Sequence, residues 1–288
     1  MKIAVLGSTG MLGSMLVRYL SQHFHLVATV RSETLKSEVS NAEVRVFDAL
    51  NDNLATVAGD CQWIINAVGV IPQRYRYLGC EINSKVPRQI IEQTDIPIIQ
   101  IATDCVYSGK RGNYSERDNF SPIDDYGESK LLGEVEAPNM HHLRCSIVGR
   151  ERRGSYSLLG WFLNQSQGAI VMGYVNHLWN GVTTLHFAKV CRGIIEQSVP
   201  LLHIHHLVPA DSISKYELLK LFAIAYCRDD ITIKPAEAVK IINRTLATTN
   251  TELNQELWQA AGYDGPPTIA KMVRELAEYT ARGKRRGK

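Results

Sequence analysis

The chain has 288 residues, enough to bury one large core with a smaller lobe beside it. Its composition, 45% hydrophobic and 21% charged residues, is that of an ordinary globular protein, and a net charge of +3 gives no indication of a nucleic-acid partner. No apolar run approaches the roughly 18 residues of a membrane span, and the run after Lys2 is too short for a signal peptide. The six cysteines are scattered without a CxxC pair, so we expect reduced thiols, no metal site and a cytoplasmic protein.

The first half of the chain alternates apolar strands with helices, which is typical of a parallel sheet with helices on both faces. The strand candidates are mostly continuous apolar runs, as expected of strands buried on both faces. They are residues 2–6, 25–30, 44–47, 63–66, 96–103 and 142–148, with helices at 11–22, 83–94 and 126–135 and an exposed loop at 110–125. The pattern predicts the α/β class, a Rossmann-type doubly wound parallel sheet.

The first strand runs directly into residues 7–13 (GSTGMLG), which open the first helix. Glycines let such a turn take positive φ and let the backbone approach a pyrophosphate, while the helix N-terminus offers free N–H groups and the positive end of its dipole. The spacing is GxxGxxG rather than GxGxxG, and its place between strand and helix favours a dinucleotide. The predicted contacts are Gly7, Thr9, Gly10, Met11, Leu12 and Gly13.

The end of the second strand bears on which nicotinamide cofactor binds. NAD sites usually place Asp or Glu there, about 20 residues after the glycine loop, to hold the ribose 2′-OH. Here Arg31 and Ser32 follow the strand, and a guanidinium and a hydroxyl suit a 2′-phosphate. A solvated Arg31 is the alternative, and Glu33 follows at once, so NAD(H) stays open. We predict NADP(H) as the preferred cofactor.

Two further strand ends are candidates for cofactor contact. Asp48, after the third strand, is placed to receive the adenine amino group, or equally to cap its own loop. Asn66, Ala67 and Val68, after the fourth strand, form a backbone of small residues that would lie along the cofactor.

A catalytic group is predicted at the fifth strand and the helix that follows. Thr103 and Asp104 end the strand, at the edge where ligands of parallel sheets bind. Tyr126 and Lys130 are four residues apart and share one helical face, about 6 Å apart at Cβ. A phenol with a pKa of about 10 is a poor acid or base at neutral pH, and a nearby ammonium lowers that pKa. We predict proton transfer by Tyr126, ribose binding by Lys130 and carbonyl binding by Thr103.

The second half is less regular and predicts a smaller C-terminal α/β substrate lobe. Helices are predicted at 182–197, 214–226 and 272–280 and a strand at 201–208, with Ser212 or Ser214 near a helix cap. Residues 1–150 form the predicted NADP-binding domain and 151–280 the substrate-binding lobe, with about 182–208 returning to the first domain; residues 281–288 are predicted to be a disordered basic tail. His203, His205 and His206 are predicted to be structural, because strand alternation divides them between two faces.

These motifs resemble the extended short-chain dehydrogenases/reductases, most closely the dTDP-4-dehydrorhamnose reductase group, over most of the chain. Residues 103–109 (TDCVYSG) look like that group's threonine–aspartate segment, and 126–134 (YGESKLLGE) look like its active helix. The resemblance implies a triad of Thr103, Tyr126 and Lys130 with Tyr126 as the proton donor. The substrate contacts that the resemblance implies are Asp104, Val106, Asn180 and Arg244. The Arg244 guanidinium suits the oxygens of a diphosphate. For both Asn180 and Arg244, a packing role is the alternative.

The resemblance favours NADPH-dependent reduction of a 4-keto-6-deoxy sugar linked to a nucleoside diphosphate. Related dehydratases carry an acidic pair after the threonine, whereas Asp104 is followed here by Cys105, so reduction is preferred. An epimerase, a reductase of another carbonyl such as a flavonoid or steroid, and a non-enzymatic subunit resembling that of methionine adenosyltransferase stay open. The expected partner is a nucleotide sugar, without nucleic acid or membrane, and a homodimer is left open.

Overall fold

The computed structural model describes residues 1–71 and 76–286, with the backbone alone for 76–78 and 283–286. Its strands are β1 (Lys2–Leu6), β2 (His25–Val30), β3 (Glu43–Val46), β4 (Trp63–Asn66), β5 (Ile98–Ala102), β6 (Met140–Arg144), β7 (Ile147–Val148), β8 (Ile170–Tyr174), β9 (Leu178–Trp179), β10 (Val182–Thr183), β11 (Ile204–His206), β12 (Ile213–Ser214) and β13 (Thr232–Ala236). Its helices are α1 (Met11–Leu20), α2 (Ala55–Ala58), α3 (Arg76–Gln93), α4 (Asp125–Leu132), α5 (Leu158–Leu163), α6 (Thr184–Gln197), α7 (Lys215–Ala225), α8 (Thr251–Ala260) and α9 (Ile269–Arg286).

Seven of these strands form one parallel sheet in the order β11-β6-β5-β4-β1-β2-β3. The central strands are apolar throughout, and residues 3–6 of β1 are fully buried, because helices cover both faces of the sheet. The chain order reverses between β1 and β4, and ligands of such sheets bind at the carboxyl ends of strands beside this reversal. The predicted α/β doubly wound sheet is confirmed.

The second half of the chain forms three two-stranded sheets and two segments that join the first half. β7 pairs with β10, β9 with β12 and β8 with β13. Helix α6 packs against α1, and β11 extends the main sheet beside β6. The helix predicted from residue 182 begins two residues later, because residues 182–183 pair with β7 and the Thr183 hydroxyl caps α6. The predicted cap at Ser214 is present as a complete capping box with Glu217.

Several predicted boundaries and environments differ from the structure. The strand predicted at 142–148 is two strands, since β7 leaves the main sheet to pair with β10. The helix predicted from residue 83 begins at Arg76. The tail predicted to be disordered is helical through Arg286, and residues 287–288 lie outside the described chain. The loop at 110–125 is only partly exposed, because Tyr114 is buried and stacks on Tyr107 with ring centroids 4.5 Å apart.

The histidines of β11 are part of the packing. His205 and His206 are fully buried. Nε2 of His206 accepts from Arg144 Nη1 at 2.8 Å, which leaves Nδ1 to donate to the Ala247 carbonyl at 2.8 Å. Burial and the nearby Arg144 guanidinium lower the pKa of His206 to about 4, so this ring is neutral at physiological pH.

Candidate active site

The glycine loop lies at the carboxyl edge of β1, against the loop that follows β4. Gly7 has φ +76°, and a Cβ added to it would lie 3.1 Å from the Val68 nitrogen. A Cβ on Gly13 would lie 2.1 Å from the Gly7 carbonyl oxygen, well inside contact distance. Glycine is therefore required at residue 7 for the turn and at residue 13 for the close approach of α1 to the loop.

The N-terminus of α1 offers free donors at this loop. Gly10 is the N-cap, no side chain caps the helix and its first turn contains no acidic residue. The N–H groups of the first turn, at Met11, Leu12 and Gly13, have no carbonyl partner within the helix. Such an end attracts an anion through its N–H groups and its dipole, so the geometry fits a pyrophosphate without a competing carboxylate.

The residues after β2 that are candidates for the adenosine side of the cofactor have different surroundings in the structure. Arg31 is exposed directly after β2, and Glu33 forms an ion pair with Lys36 at 2.9 Å. The Ser32 hydroxyl lies 2.9 Å from that of Thr34.

Asp48 serves its own loop. Its carboxylate accepts from the Leu50 N–H and from the Asn51 side chain, each at 3.1 Å. The capping alternative considered for Asp48 is therefore present in the structure, and contact with adenine stays a prediction.

Asn66 shapes the loop after β4 rather than facing solvent. It is fully buried, donates to Gln100 on β5 at 2.7 Å and accepts from the Val68 N–H at 3.0 Å. Asn83 on α3 continues this bracing: it bonds both backbone groups of Val70 at 2.9 Å and donates to Ser129 on α4 at 3.2 Å. The sequence analysis missed Asn83, since nothing in the sequence marks an asparagine in the helix 76–93 as a brace between two loops.

Thr103, Tyr126 and Lys130 come together at the end of β5. The Thr103 hydroxyl accepts from the Cys105 N–H at 3.2 Å and so caps a short 3₁₀ turn at Asp104–Val106. The phenol of Tyr126 interacts with that hydroxyl. Lys130 is buried and donates to the Ile101 carbonyl at 2.9 Å.

Gly127 makes this close packing of α4 against the turn possible. A Cβ at this position would lie 2.3 Å from the Cys105 carbonyl oxygen. No side chain fits at residue 127, so only glycine lets the helix carry the phenol up to Thr103.

Burial controls the protonation of both ionisable groups. Burial raises the pKa of the Tyr126 phenol, although the hydrogen bond with the Thr103 side chain lowers it. It lowers the pKa of Lys130 to about 8, against the opposing effect of Glu134. We expected Lys130 to lower the pKa of Tyr126. That pKa is raised instead, because burial has the largest effect on it and the Lys130 ammonium donates to the Ile101 carbonyl. At neutral pH the phenol therefore carries its proton.

Arg244 lies against the same turn, from the other half of the chain. Its guanidinium donates to the Tyr107 carbonyl at 3.0 Å and to Cys105 Sγ at 3.3 Å, and lies 3.5 Å from the Asp124 carboxylate. Burial raises the pKa of Asp104, while Arg244 and Lys215 lower it. Arg244 is thus close to the predicted catalytic group, and contact with a diphosphate stays a prediction.

Two of the predicted substrate contacts have packing roles in the structure. Val106 is fully buried in a small apolar cluster with Tyr107, so its side chain is not presented to a ligand, contrary to the prediction. The Asn180 amide donates to the Leu246 carbonyl at 2.7 Å and accepts from the Leu246 N–H at 2.9 Å. Its side chain therefore holds the segment that carries Arg244, which is the packing alternative considered for Asn180.

The part of the chain that the structure describes, residues 1–71 and 76–286, contains no group of three or more His, Cys, Asp or Glu side chains arranged to hold a metal ion. Within it, no helix combines the length and apolar character that a bilayer crossing requires.

Comparison with known proteins places this geometry in context. The family described as RmlD substrate binding domain matches residues 1–281. The probable low-salt glycan biosynthesis reductase Agl14 of Haloferax volcanii is 29% identical over 54% of this chain and 57% of its own length. Methionine adenosyltransferase 2 subunit beta of Danio rerio is 29% identical over 45% of this chain and 43% of its own. The chain thus spans about half the length of these curated relatives.

Solved structures agree in fold over nearly the whole chain. A dTDP-4-dehydrorhamnose reductase of Bacillus anthracis in complex with NADP is similar over 96% of this chain and 99% of its own, with a TM-score of 0.70. The sequence identity of 17% limits this similarity to the fold.

Proposed function

The chain belongs to the RmlD substrate binding domain family, and from that premise we propose that it is an NADPH-dependent reductase of a 4-keto-6-deoxy sugar linked to a nucleoside diphosphate. The observation that carries the proposal is the contact between the phenol of Tyr126 and the Thr103 hydroxyl, with the Lys130 ammonium bonded to the Ile101 carbonyl of the same strand. The proposal assigns residues 1–150 to the cofactor and 151–280 mainly to the substrate.

The residues of the glycine loop fit a dinucleotide. The space at Gly13 admits no Cβ, and the uncapped end of α1 provides donors for a pyrophosphate. In the proposed complex Arg31 and Ser32 hold a 2′-phosphate, which is why NADPH is preferred over NADH. The NADP bound in the Bacillus anthracis relative supports this preference.

The chemistry of the proposed step is a reduction of a ketone to an alcohol. When held at the glycine loop, NADPH would supply the hydride that the keto carbon receives. Tyr126 donates its proton to the carbonyl oxygen as negative charge develops there, and the Thr103 hydroxyl donates a hydrogen bond to the same oxygen. Lys130, fixed by the Ile101 carbonyl, holds a positive charge near the phenolate that remains until solvent returns the proton.

One second candidate is favoured by a specific observation. The similarity to methionine adenosyltransferase 2 subunit beta of Danio rerio favours a regulatory subunit that keeps the site without turning over. A stoichiometric protein partner, together with inactivity on every keto sugar, would support that role.

The test is turnover by the purified chain with NADPH and a panel of nucleoside diphosphate 4-keto-6-deoxy sugars, followed by absorbance of the reduced nicotinamide. Tyr126→Phe is expected to lower kcat by about 10²- to 10⁴-fold, because it removes the proton donor, and to leave the Kd for NADPH unchanged. Tyr174→Phe, a change at an exposed tyrosine on β8, is the matched control and should keep full activity.

Each other outcome has a defined meaning. Full activity of the Tyr126→Phe variant would refute the assigned mechanism. Conversion of a nucleotide sugar without net consumption of NADPH would identify an epimerase instead. No turnover on any member of the panel would overturn the reductase proposal.

A further inference from the structure

Residues 243–247 form an arm that reaches from the second half of the chain to the loop after β5. The Asn243 N–H donates to the Gly109 carbonyl at 2.7 Å, and Tyr114 makes two backbone hydrogen bonds with the arm, of 2.9 and 2.8 Å. Asn180 bonds both backbone groups of the buried leucine of the arm, at 2.7 and 2.9 Å. The backbone of the arm is therefore held on two sides, which fixes where its one arginine begins.

The guanidinium of that arginine, Arg244, contacts two elements that each carry a residue of the proposed catalytic group. Its Nε donates to the Tyr107 carbonyl at 3.0 Å and its Nη1 donates to Cys105 Sγ at 3.3 Å. Both acceptors belong to the turn that Thr103 caps or follow it directly. Its Nη2 lies 3.5 Å from the carboxylate of Asp124, at the start of the helix that carries the phenol. One planar group, with donors on three nitrogens, thus joins the turn to the helix.

Asp124 transmits this contact to the first turn of α4. It is the N-cap of the helix, and its Oδ1 accepts from the Gly127 N–H at 2.8 Å while its carbonyl accepts from the Glu128 N–H at 3.1 Å. Its Oδ2 is the oxygen that faces Arg244. Tyr126 lies between the cap and the residue that it bonds, so the position of its backbone follows from the position of the cap.

Backbone contacts also join the turn to the loop before α4. The Ser121 N–H donates to the Val106 carbonyl at 2.9 Å, and the Ser121 hydroxyl accepts from the Ser108 N–H at 3.1 Å. These bonds hold the loop three residues before the cap, whereas Arg244 acts at the cap itself. Loss of the guanidinium should therefore displace the start of α4 without unfolding the site.

The same contacts bear on the diphosphate contact predicted for Arg244. Each of its three guanidinium nitrogens has an acceptor or an ion-pair partner within the protein, and the side chain is only 15% exposed. The group is thus fixed by the fold before any substrate binds, which is the requirement for a residue that supports a catalytic side chain.

We propose that Arg244 is a positioning residue, which holds the phenol of Tyr126 at the Thr103 hydroxyl by joining the turn after β5 to the N-cap of α4. In this role it acts through Asp124 and does not touch the reacting atoms. The inference rests on the proposed reductase function for its kinetic test, and it gives the second half of the chain a part in the proton transfer as well as in substrate binding.

The kinetic test compares Arg244→Met with Arg111→Met, a matched control at an exposed arginine that forms an ion pair with Asp118 at 2.7 Å. Arg244→Met is expected to lower kcat about 10- to 100-fold, because a displacement of about 1 Å in a positioning element can cost about 100-fold. The KM for the keto sugar should change by less than about threefold, since substrate binding is retained. The value of kcat is expressed per NADPH-binding site, so that loss of folded protein does not count as loss of turnover. Arg111→Met should keep the kcat of the unaltered chain.

A double-mutant cycle separates positioning from a general structural role. In the Tyr126→Phe background there is no proton donor to position, so Arg244→Met should cause little further loss of kcat. Asp124→Asn provides an independent variant if Arg244→Met does not fold, because asparagine caps a helix as well as aspartate does and only the charge that faces Arg244 is lost. It should lower kcat by a smaller factor, and this loss should also disappear in the Tyr126→Phe background.

Two kinetic results would overturn the inference. A rise in KM with kcat unchanged would assign Arg244 to the substrate diphosphate. An equal loss of kcat in the presence and in the absence of the Tyr126 phenol would show that Arg244 does not act through it.

Crystal structures of the same variants distinguish this failure from failure of the proposed function, because they need no turnover. In Arg244→Met, or in Asp124→Asn, the Tyr126 phenol should lose its hydrogen bond to Thr103, and in Arg111→Met it should keep it. If no keto sugar is reduced but the phenol is displaced, the reductase proposal fails and the positioning role stands. A phenol that keeps this hydrogen bond without the contact between Arg244 and Asp124 overturns the inference, whatever the chain reduces.

Discussion

Gly13→Ala tests the dinucleotide site at its tightest point. The added methyl carbon would lie 2.1 Å from the Gly7 carbonyl oxygen and 2.8 Å from the Gly7 carbonyl carbon. Non-bonded heavy atoms come to rest at about 3.5 Å, so the loop and the first turn of α1 must separate by about 1.4 Å. Both neighbours are backbone atoms, which move only if the loop or the helix moves.

The expected effect follows from that displacement. Overpacking costs about 1–3 kcal/mol, and the better helix propensity of alanine returns about 1 kcal/mol, so the free energy of unfolding should fall by no more than about 2 kcal/mol. The larger effect is on the cofactor, since a displacement of about 1 Å in a positioning element can cost about 100-fold. We expect the Kd for NADPH to rise by about that factor.

The assay is a fluorescence titration with NADPH, together with urea unfolding of the same protein. Ser14→Ala is the matched control, because residue 14 follows on the same helix, lies outside the predicted cofactor contacts and gains no atom. The reasoning is refuted if Gly13→Ala binds NADPH as tightly as the unaltered chain, or if Ser14→Ala is equally damaging.

Two further predictions concern charged side chains of the site. Arg31→Ala should raise the Kd for NADPH about 10-fold or more and leave the Kd for NADH unchanged, because only NADPH has a 2′-phosphate; equal losses for both cofactors would contradict the assignment. Burial lowers the pKa of Lys130 to about 8, against 10.5 in the unfolded chain. Between these two pH values the unfolded state binds more protons than the folded state, so the free energy of unfolding should increase as the pH rises from 8 to 10. Lys130→Met should abolish this part of the pH dependence in urea unfolding, and an unchanged slope would contradict the burial of a charged lysine.

The main sheet was predictable from the sequence because its strands satisfy one local requirement. Strands buried on both faces are continuous apolar runs, and β1, β2 and β4 have the predicted bounds. The family match over residues 1–281 confirms the resemblance that the motifs indicated. The small sheets of the second half have no comparable signal, since β7, β9, β10 and β12 are two residues long and depend on partners distant in sequence.

The candidate site was predictable where its residues are neighbours in sequence. The glycine loop and the pair Tyr126 and Lys130 are local motifs. Asn180 was predicted to contact the substrate. In the structure its side-chain amide instead bonds the backbone of Leu246, 66 residues further along the chain, and no local pattern indicates that contact.

The YxxxK spacing explains why Tyr126 and Lys130 share a helical face. The position of the Lys130 ammonium, however, is set by strand β5. The Ile101 carbonyl accepts from Lys130 at 2.9 Å and also from the Gln100 side chain at 3.0 Å, while Gln100 in turn accepts from Asn66 at 2.7 Å. Hydrogen bonds thus run from the end of β4, beside the glycine loop, through β5 to the lysine of α4. Because the Asn66 carbonyl also accepts from the Val68 N–H in the loop that contacts Gly7, a continuous series of hydrogen bonds connects the glycine loop with Lys130 through the sheet.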